Sequence, residues 1–256
     1  MALFKHELPI LEYDDAPKAV FQPDHERLDL VLPKKAVFAF LGGCIGRYAQ
    51  EHDLTPVAEF LSITKKYPVY VVHYKGEDIC LCQAPVGAPA AVQIMDWLIS
   101  YGVQSIISAG SCGALVDLPE NTFLIPVRAL RDEGTSYHYL PPARWVELDA
   151  GVRLSMKKTL DGLALPCAEC VVWTTDGFFR ETKELVEYRK AEGCSVVDME
   201  CAALAACARF RGVKFGQLLF TADTLANTDR YDERGWGVDS LEKALMLSFE
   251  LARGLD

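Results

Sequence analysis

Three carboxylates lie close together in the stretch 195–225: Asp198 and Glu200 on either side of Met199, and Asp223 at the end of Thr221-Ala222-Asp223. The first pair opens an Ala/Cys-rich segment of helical character. The third acid ends an apolar run, Phe215 to Phe220, that reads as a buried strand. One acid group therefore stands at the start of a buried helix and another at the exit of a strand. In open α/β sheets ligands bind outside the carboxyl ends of the strands. Acids converging there suit a polyhydroxylated, nitrogenous ligand. The alternative is that Asp198 and Glu200 are first-turn helix acids, which complement the helix dipole by about 0.3–1 kcal/mol.

Two glycine loops could hold an anion. Gly42-Gly43-Cys44-Ile45-Gly46-Arg47 follows the apolar run 36–41 and precedes a helix. Glycines there admit close backbone approach to an anion, and Arg47 could fork onto two oxygens. A plain strand–helix turn is the other reading. The second loop is Gly110-Ser111-Cys112-Gly113, which breaks a strand at 105–109. The adjacent Phe178 and Phe179 offer an aromatic wall or simply core. Cys167 and Cys170 form a single C-x-x-C with no accompanying histidines, which reads as an ordinary strand-edge pair rather than a metal or redox site.

These residues need a scaffold, and the chain supplies an alternating one. Strands are predicted near 36–41, 69–73, 79–85, 105–109, 122–127, 170–174 and 217–221, the second and third forming a hairpin turned at Lys75-Gly76-Glu77-Asp78. Helices are predicted over 48–63, 89–101, 182–191, 199–211 and about 240–255. This alternation defines an α/β fold. Residues 1–24, punctuated by Pro9, Pro17 and Pro23, read as an N-terminal arm, and 25–256 as a single domain. The net charge of −10 argues against nucleic acid or an anionic membrane as main partner. No apolar run reaches the ~18 residues of a membrane span. The N-terminus lacks a signal-peptide pattern, and nine cysteines in mostly apolar segments read as reduced thiols of a cytoplasmic protein.

The stretch 195–225 resembles the ribose- and base-binding signature of the nucleoside phosphorylase/uridine phosphorylase family. Asp198-Met199-Glu200 stands where that family carries E-M-E, and Thr221-Ala222-Asp223 where its purine-specific members carry Ser-Asp. Ile107 to Leu115 resembles R-x-G-[ST]-C-G-A-L, with Ser111 at the phosphate-binding hydroxyl and Ser108 in place of the arginine. Gly43 and Arg47 match the family's G-D-P-x-R at its glycine and arginine, without the intervening Asp-Pro. Glu133-Gly134 lies under the Asp-Gly of D-G-A-S-x-H-F. Phe178, with Phe179 second, lies where an aromatic stacks on the base.

The resemblance implies a phosphorylase/hydrolase-like fold, a central mixed and partly barrel-like sheet flanked by helices. It implies phosphorolysis of a nucleoside, preferably a purine, to free base and ribose 1-phosphate. Glu200 would bind the ribose hydroxyls with Met199 packing on the sugar. Gly43, Arg47 and Ser111 would hold phosphate. Asp223 would contact the base and protonate the departing purine at N7, a proton site pyrimidines lack. His25, and Lys65 or Lys66, stand at the spacing of residues that the family donates across a subunit interface, to ribose and phosphate respectively. A homo-oligomer, a dimer or a trimer of dimers, is thereby implied, with inorganic phosphate as co-substrate and no metal or organic cofactor. The lost arginine at Ser108 predicts roughly 10- to 100-fold weaker phosphate capture, unless Arg128 or Arg131 compensates. Arg230 or Arg234 could assist Asp223. Thr182 and Glu184 stand where uridine-specific members place a Gln and an Arg, which weakens a uridine phosphorylase reading. A phosphate-independent nucleosidase and a non-catalytic nucleoside-binding relative are the remaining alternatives.

Overall fold

The computed structural model describes residues 3–255; the first two residues of the N-terminal arm and Asp256 lie outside them. The strands are β1 (Lys35–Ala39), β2 (Ala58–Leu61), β3 (Lys66–Tyr74), β4 (Glu77–Gln83), β5 (Ser105–Ala114), β6 (Phe123–Asp132), β7 (Trp145–Glu147), β8 (Ala168–Thr175), β9 (Val196–Asp198) and β10 (Lys214–Thr224). The helices are α1 (Cys44–Glu51), α2 (Ala88–Ser100), α3 (Ala150–Gly162), α4 (Lys183–Ala191), α5 (Cys201–Arg211) and α6 (Leu241–Gly254). Residues 3–34 contribute no strand and only a short 3-10 turn, Pro9–Leu11.

The sheet closes on itself. It runs β10-β6-β8-β9-β5, and β10 also pairs with β5, making a five-stranded ring. From β5 the sheet continues outward through β1, β4, β3 and β2, while β7 pairs with β6. The α/β class is as the alternation of elements predicts, and the mixed, partly barrel-like sheet is as the family resemblance implies. Where both faces of a parallel strand are covered, the strand reads as a continuous apolar run rather than an alternation. β1 shows this. Ala36 and Phe38 face a core layer built with α2 and α5, whereas Val37 and Ala39 face one built with α1, α3 and α6. Among the described residues no helix is long and apolar enough to cross a membrane.

Several predicted elements change on folding. The helix predicted over 48–63 is two elements: α1 begins at Cys44 and stops at Glu51, and 58–61 form the edge strand β2. Asp53 adopts φ +50° just past the helix end, and Pro56 follows, so the chain cannot continue helically. Phe60 and Leu61 therefore sit on an edge strand and not on a helix face. The glycines at 110–113 do not break β5; it pairs with β10 from Ser105 through Ala114. A Cβ on Gly110 would lie 3.2 Å from the Phe40 side chain, so glycine here permits close packing within a strand. α3, β7 and β9 have no counterpart in the sequence reading. β9 matters most, because it makes Asp198 a strand residue and moves the start of α5 to Cys201.

Candidate active site

The acids of 195–225 meet at the carboxyl ends of β5, β9 and β10. Thr174 Oγ1, on β8, donates to Asp198 Oδ1 at 2.7 Å and accepts from the amide of Ala202 at 3.1 Å. Asp198 Oδ2 accepts from the amide of Cys201 at 2.8 Å. Asp198 and Thr174 thus satisfy first-turn amides of α5, orphan donors of the kind every helix start presents. Glu200, one residue before α5, makes no cap. Its Oε1 instead accepts from the amide of Gly87, which precedes α2 and holds φ +99°. Burial pushes both carboxyls up, and for Glu200 the neighbouring Asp198 charge adds to it.

On β10 the pairing register with β5 shifts between Thr221 and Thr224, a bulge that spans Ala222 and Asp223. Bulges re-aim side chains at functional sites. Asp223 is 6% exposed, and burial raises its pKa against the opposing influence of the Tyr231 hydroxyl and the Arg234 charge. A Cβ on Gly113 would lie 3.3 Å from Asp223 Oδ1 and 3.0 Å from Val197 Cγ1, so this glycine makes the room the carboxyl occupies.

Two adjoining cavities with shared lining residues surround these groups. The smaller, about 220 Å³, is lined by Ser111, Met199, Glu200, Gln217 and Asp223 among others. The larger, about 490 Å³, is lined by Phe178, Phe179, Tyr231 and Trp236. Glu181, Asp223, Phe178 and Trp236 border both. Phe178 and Phe179 make an edge-to-face pair at 5.0 Å, with Phe179 91% exposed. No sequence motif marks Glu181; burial and, secondly, the charge of Asp223 push its carboxyl up to about 7.

The structure therefore brings together Ser111, Phe178, Met199, Glu200 and Asp223, with Phe179 at the outer cavity. It does not bring the other candidates to them within one chain. Arg47 is turned onto Cys44 Sγ at 3.0 Å and Glu242 Oε1 at 3.5 Å, and neither it nor Gly43 lines the two cavities. His25 is exposed, its ring 4.1 Å from that of Phe21, in a separate concavity beside α2. Lys65 lies on the β2–β3 turn over the ring of Tyr67, and Lys66 pairs with Glu59 at 3.4 Å. Among the described residues lining the smaller cavity there are four carboxylates, Glu181, Asp198, Glu200 and Asp223, and no cation.

Ser108, where the resemblance has an arginine, is fully buried and its Oγ has no partner. It pairs in register with Gln217 of β10, whose Oε1 is likewise without a partner. Neither Arg128 nor Arg131 fills the gap. Arg131 is engaged by Ser136 Oγ and the carbonyls of Leu140 and Pro141, and Arg128 lies over the Trp145 ring at 4.2 Å.

The sequence profile of the phosphorylase superfamily matches residues 22–247. The chain belongs to that superfamily. A guanosine phosphorylase of Halorubrum lacusprofundi is 27% identical over 185 residues, 70% of this chain and 75% of that protein. A DeoD-type purine nucleoside phosphorylase of Bacillus cytotoxicus is 27% identical over 158 residues, 59% of this chain and 65% of that protein. Among solved structures, AMP nucleosidase from Bacteroides thetaiotaomicron superposes with a TM-score of 0.71 at 22% identity, covering 87% of this chain and 88% of the other. Uridine phosphorylase from Vibrio fischeri gives 0.70 at 23%, covering 88% and 92%. These structural likenesses establish the shared fold.

Proposed function

We propose that the chain cleaves the N-glycosidic bond of purine nucleosides, with phosphate as the nucleophile. The observation that carries this reading is Asp223: a buried carboxyl with a raised pKa, sharing one cleft with Glu200 and Phe178. A carboxyl whose pKa is raised by burial holds its proton to higher pH than a free one, and it can donate that proton to purine N7 as the bond breaks. A phosphate oxygen bonds to C1′, the C1′–N9 pair passes to the base, and the proton of Asp223 goes to N7. Glu200 takes the ribose hydroxyls and Met199 packs against the sugar. Glu181, on the same cleft wall, suits the N–H edge of a 6-oxopurine, and the likeness to a guanosine phosphorylase supports that class.

Phosphate would be held by Ser111 and by Gly43 and Arg47, with Lys65 supplied by a neighbouring chain in a homo-oligomer. Arg47 needs to leave Glu242 for this, and an exposed ion pair at 3.5 Å holds it by only about 0–1 kcal/mol. No further cofactor enters this scheme, and salvage of nucleosides in the cytoplasm is the setting it fits.

A second reading, hydrolysis without phosphate, is favoured by one observation. Among the described residues the smaller cavity is lined by carboxyl groups and no cation, and its wall includes Gln217, whose unpartnered Oε1 belongs to the residue in register with the buried, unpartnered Ser108. Base release from inosine, guanosine, adenosine and uridine, with and without phosphate, separates the two. Release from purine nucleosides that requires phosphate and disappears in Asp223→Ala is expected. Equal release without phosphate would replace phosphorolysis by hydrolysis, and undiminished release by Asp223→Ala would remove the general-acid role.

A further inference from the structure

One bulky residue near the cleft holds a backbone conformation that bulky residues avoid. Trp236 has φ +57°, in the left-handed region where side chains other than glycine are rare. Such a conformation persists only where its surroundings impose it, and it clusters at ligand-binding sites. The surroundings are explicit. Glu120 Oε1, on the β5–β6 connection, accepts from the amide of Gly235 at 2.9 Å and from the amide of Gly237 at 2.8 Å. One carboxylate oxygen thereby clamps the residues on both sides of Trp236. Gly237, at φ +66°, seats the turn against Phe220, where a Cβ would come within 2.9 Å of the ring.

The clamp presents an indole that the protein does not use. Trp236 is 46% exposed and borders both cavities, as Phe178 does. Among the described residues no aromatic ring contacts it, and its indole N–H has no hydrogen-bond partner. The other tryptophans are spoken for: Trp97 and Trp173 are buried, with N–H groups bonded to Glu26 and Asp132. Trp145 is half-buried under Arg128.

We propose that Trp236 is a second aromatic wall of the base site, stacking on a two-ring base that Phe178 covers elsewhere, and that Glu120 is the residue that positions it. This rests on the purine reading above for its ligand. A flat base has π-faces to offer and an indole is the broadest side-chain partner for them. A purine presents more face to such a wall than a pyrimidine, so Trp236 works with Asp223 and Glu181 in selecting the base.

The test uses the full-length chain, with guanine and hypoxanthine as probes and inosine as substrate. Titrating either base should quench tryptophan fluorescence in the wild type, and Trp236→Phe should abolish the quench. Trp236→Ala should raise KM for inosine about 10-fold, within the range of base–aromatic stacking, and leave kcat within about 3-fold. Glu120→Leu should raise KM in the same direction, and Glu120→Gln, which keeps an acceptor oxygen for both amides, should restore wild-type behaviour. A raised KM in Glu120→Leu without rescue by Glu120→Gln would overturn the positioning role. Cleavage of inosine with no quench, and with KM unchanged in Trp236→Ala, would overturn the stacking wall and leave the proposed function standing. A quench lost in Trp236→Phe in a protein that cleaves no purine nucleoside would uphold the wall and overturn the function. Absence of any quench rejects the wall whatever the activity.

Discussion

Glu181 couples the acidity of the cleft to the stability of the fold. Its carboxyl sits at about 7 against an ordinary 4.5, because burial and then the charge of Asp223 disfavour the anion. A carboxyl raised in the folded state contributes stability below its unfolded value and loses it as pH rises through the folded value. Below about 4.5 the group is neutral in both states and carries no penalty. Between 4.5 and about 7 the unfolded chain ionises first, so the folded state loses ground, and above 7 the deficit is constant. Glu181→Gln removes the titration. The melting temperature of the variant relative to wild type should therefore climb across this window and level off above it. Calorimetry at a series of pH values checks this, and a difference that stays flat would mean that Glu181 ionises normally. Nothing in the sequence around Glu181 announces this, since its perturbation comes first from burial in the folded cleft and then from Asp223, distant in the chain. Asp198, Met199, Glu200, Asp223 and Ser111 were legible because each lies in a local motif. Gln217 and Trp236 were not: the first looks like one residue of an apolar strand, and the role of the second depends on a clamp from Glu120.

The element that sets the geometry of the cleft is the start of α5. An Ala/Cys-rich helix buried on nearly all sides gains little orientation from an amphipathic face, so its first turn must be pinned. Asp198 and Thr174 pin it, through the amides of Cys201 and Ala202. Thr174→Val keeps the shape and removes the hydroxyl, which leaves one amide of α5 and one oxygen of Asp198 short of a partner. The expected cost is about 1–2 kcal/mol, or a fall in Tm of about 2–8 °C. Because Glu200 stands between the cap and the helix, KM for nucleoside should rise along with the loss of stability. A variant that melts lower with unaltered KM would show that the cap supports the fold without setting the site. The same segment shows what an element-level reading could reach. Long, bounded helices such as α2 and α4 were visible within a residue or two. β9 is three residues long and merges in sequence with the helix that follows; only its pairing with β5 and β8 separates them. β2 falls within the helix predicted over 48–63, whose apolar positions include Ala49, Phe60 and Leu61, and the stop at Asp53 is a matter of backbone conformation.

At the scale of the whole molecule, a single chain carries the proposed base and sugar groups of the cleft together and the proposed phosphate cations apart. Glu181, Asp198, Glu200 and Asp223 line the smaller cavity, burial raises the pKa of each, and no cation of the described residues lines it. A phosphate anion entering such a cavity meets no side-chain cation, and every lining carboxyl that gives up its proton repels it. If phosphorolysis operates, positive charge has to arrive from outside the cavity: from Arg47 by rotation, or from Lys65 of a neighbouring chain. The two sources separate genetically. Arg47 acts within its own chain, so Arg47→Ala and Asp223→Asn disable the same sites when placed on one chain and different sites when placed on two. Lys65 would act on a neighbour. In a mixed oligomer of Lys65→Ala chains and Asp223→Asn chains, some sites combine an intact Asp223 with an intact Lys65 from next door. Co-expressing the two variants should then restore activity well above the sum of the separate proteins, with a phosphate KM close to wild type. The Arg47→Ala and Asp223→Asn pair should show no such gain. Activity that merely averages in the Lys65 mixture would mean that each cleft is complete within one chain, and that Arg47 or water supplies what the shared site was proposed to provide.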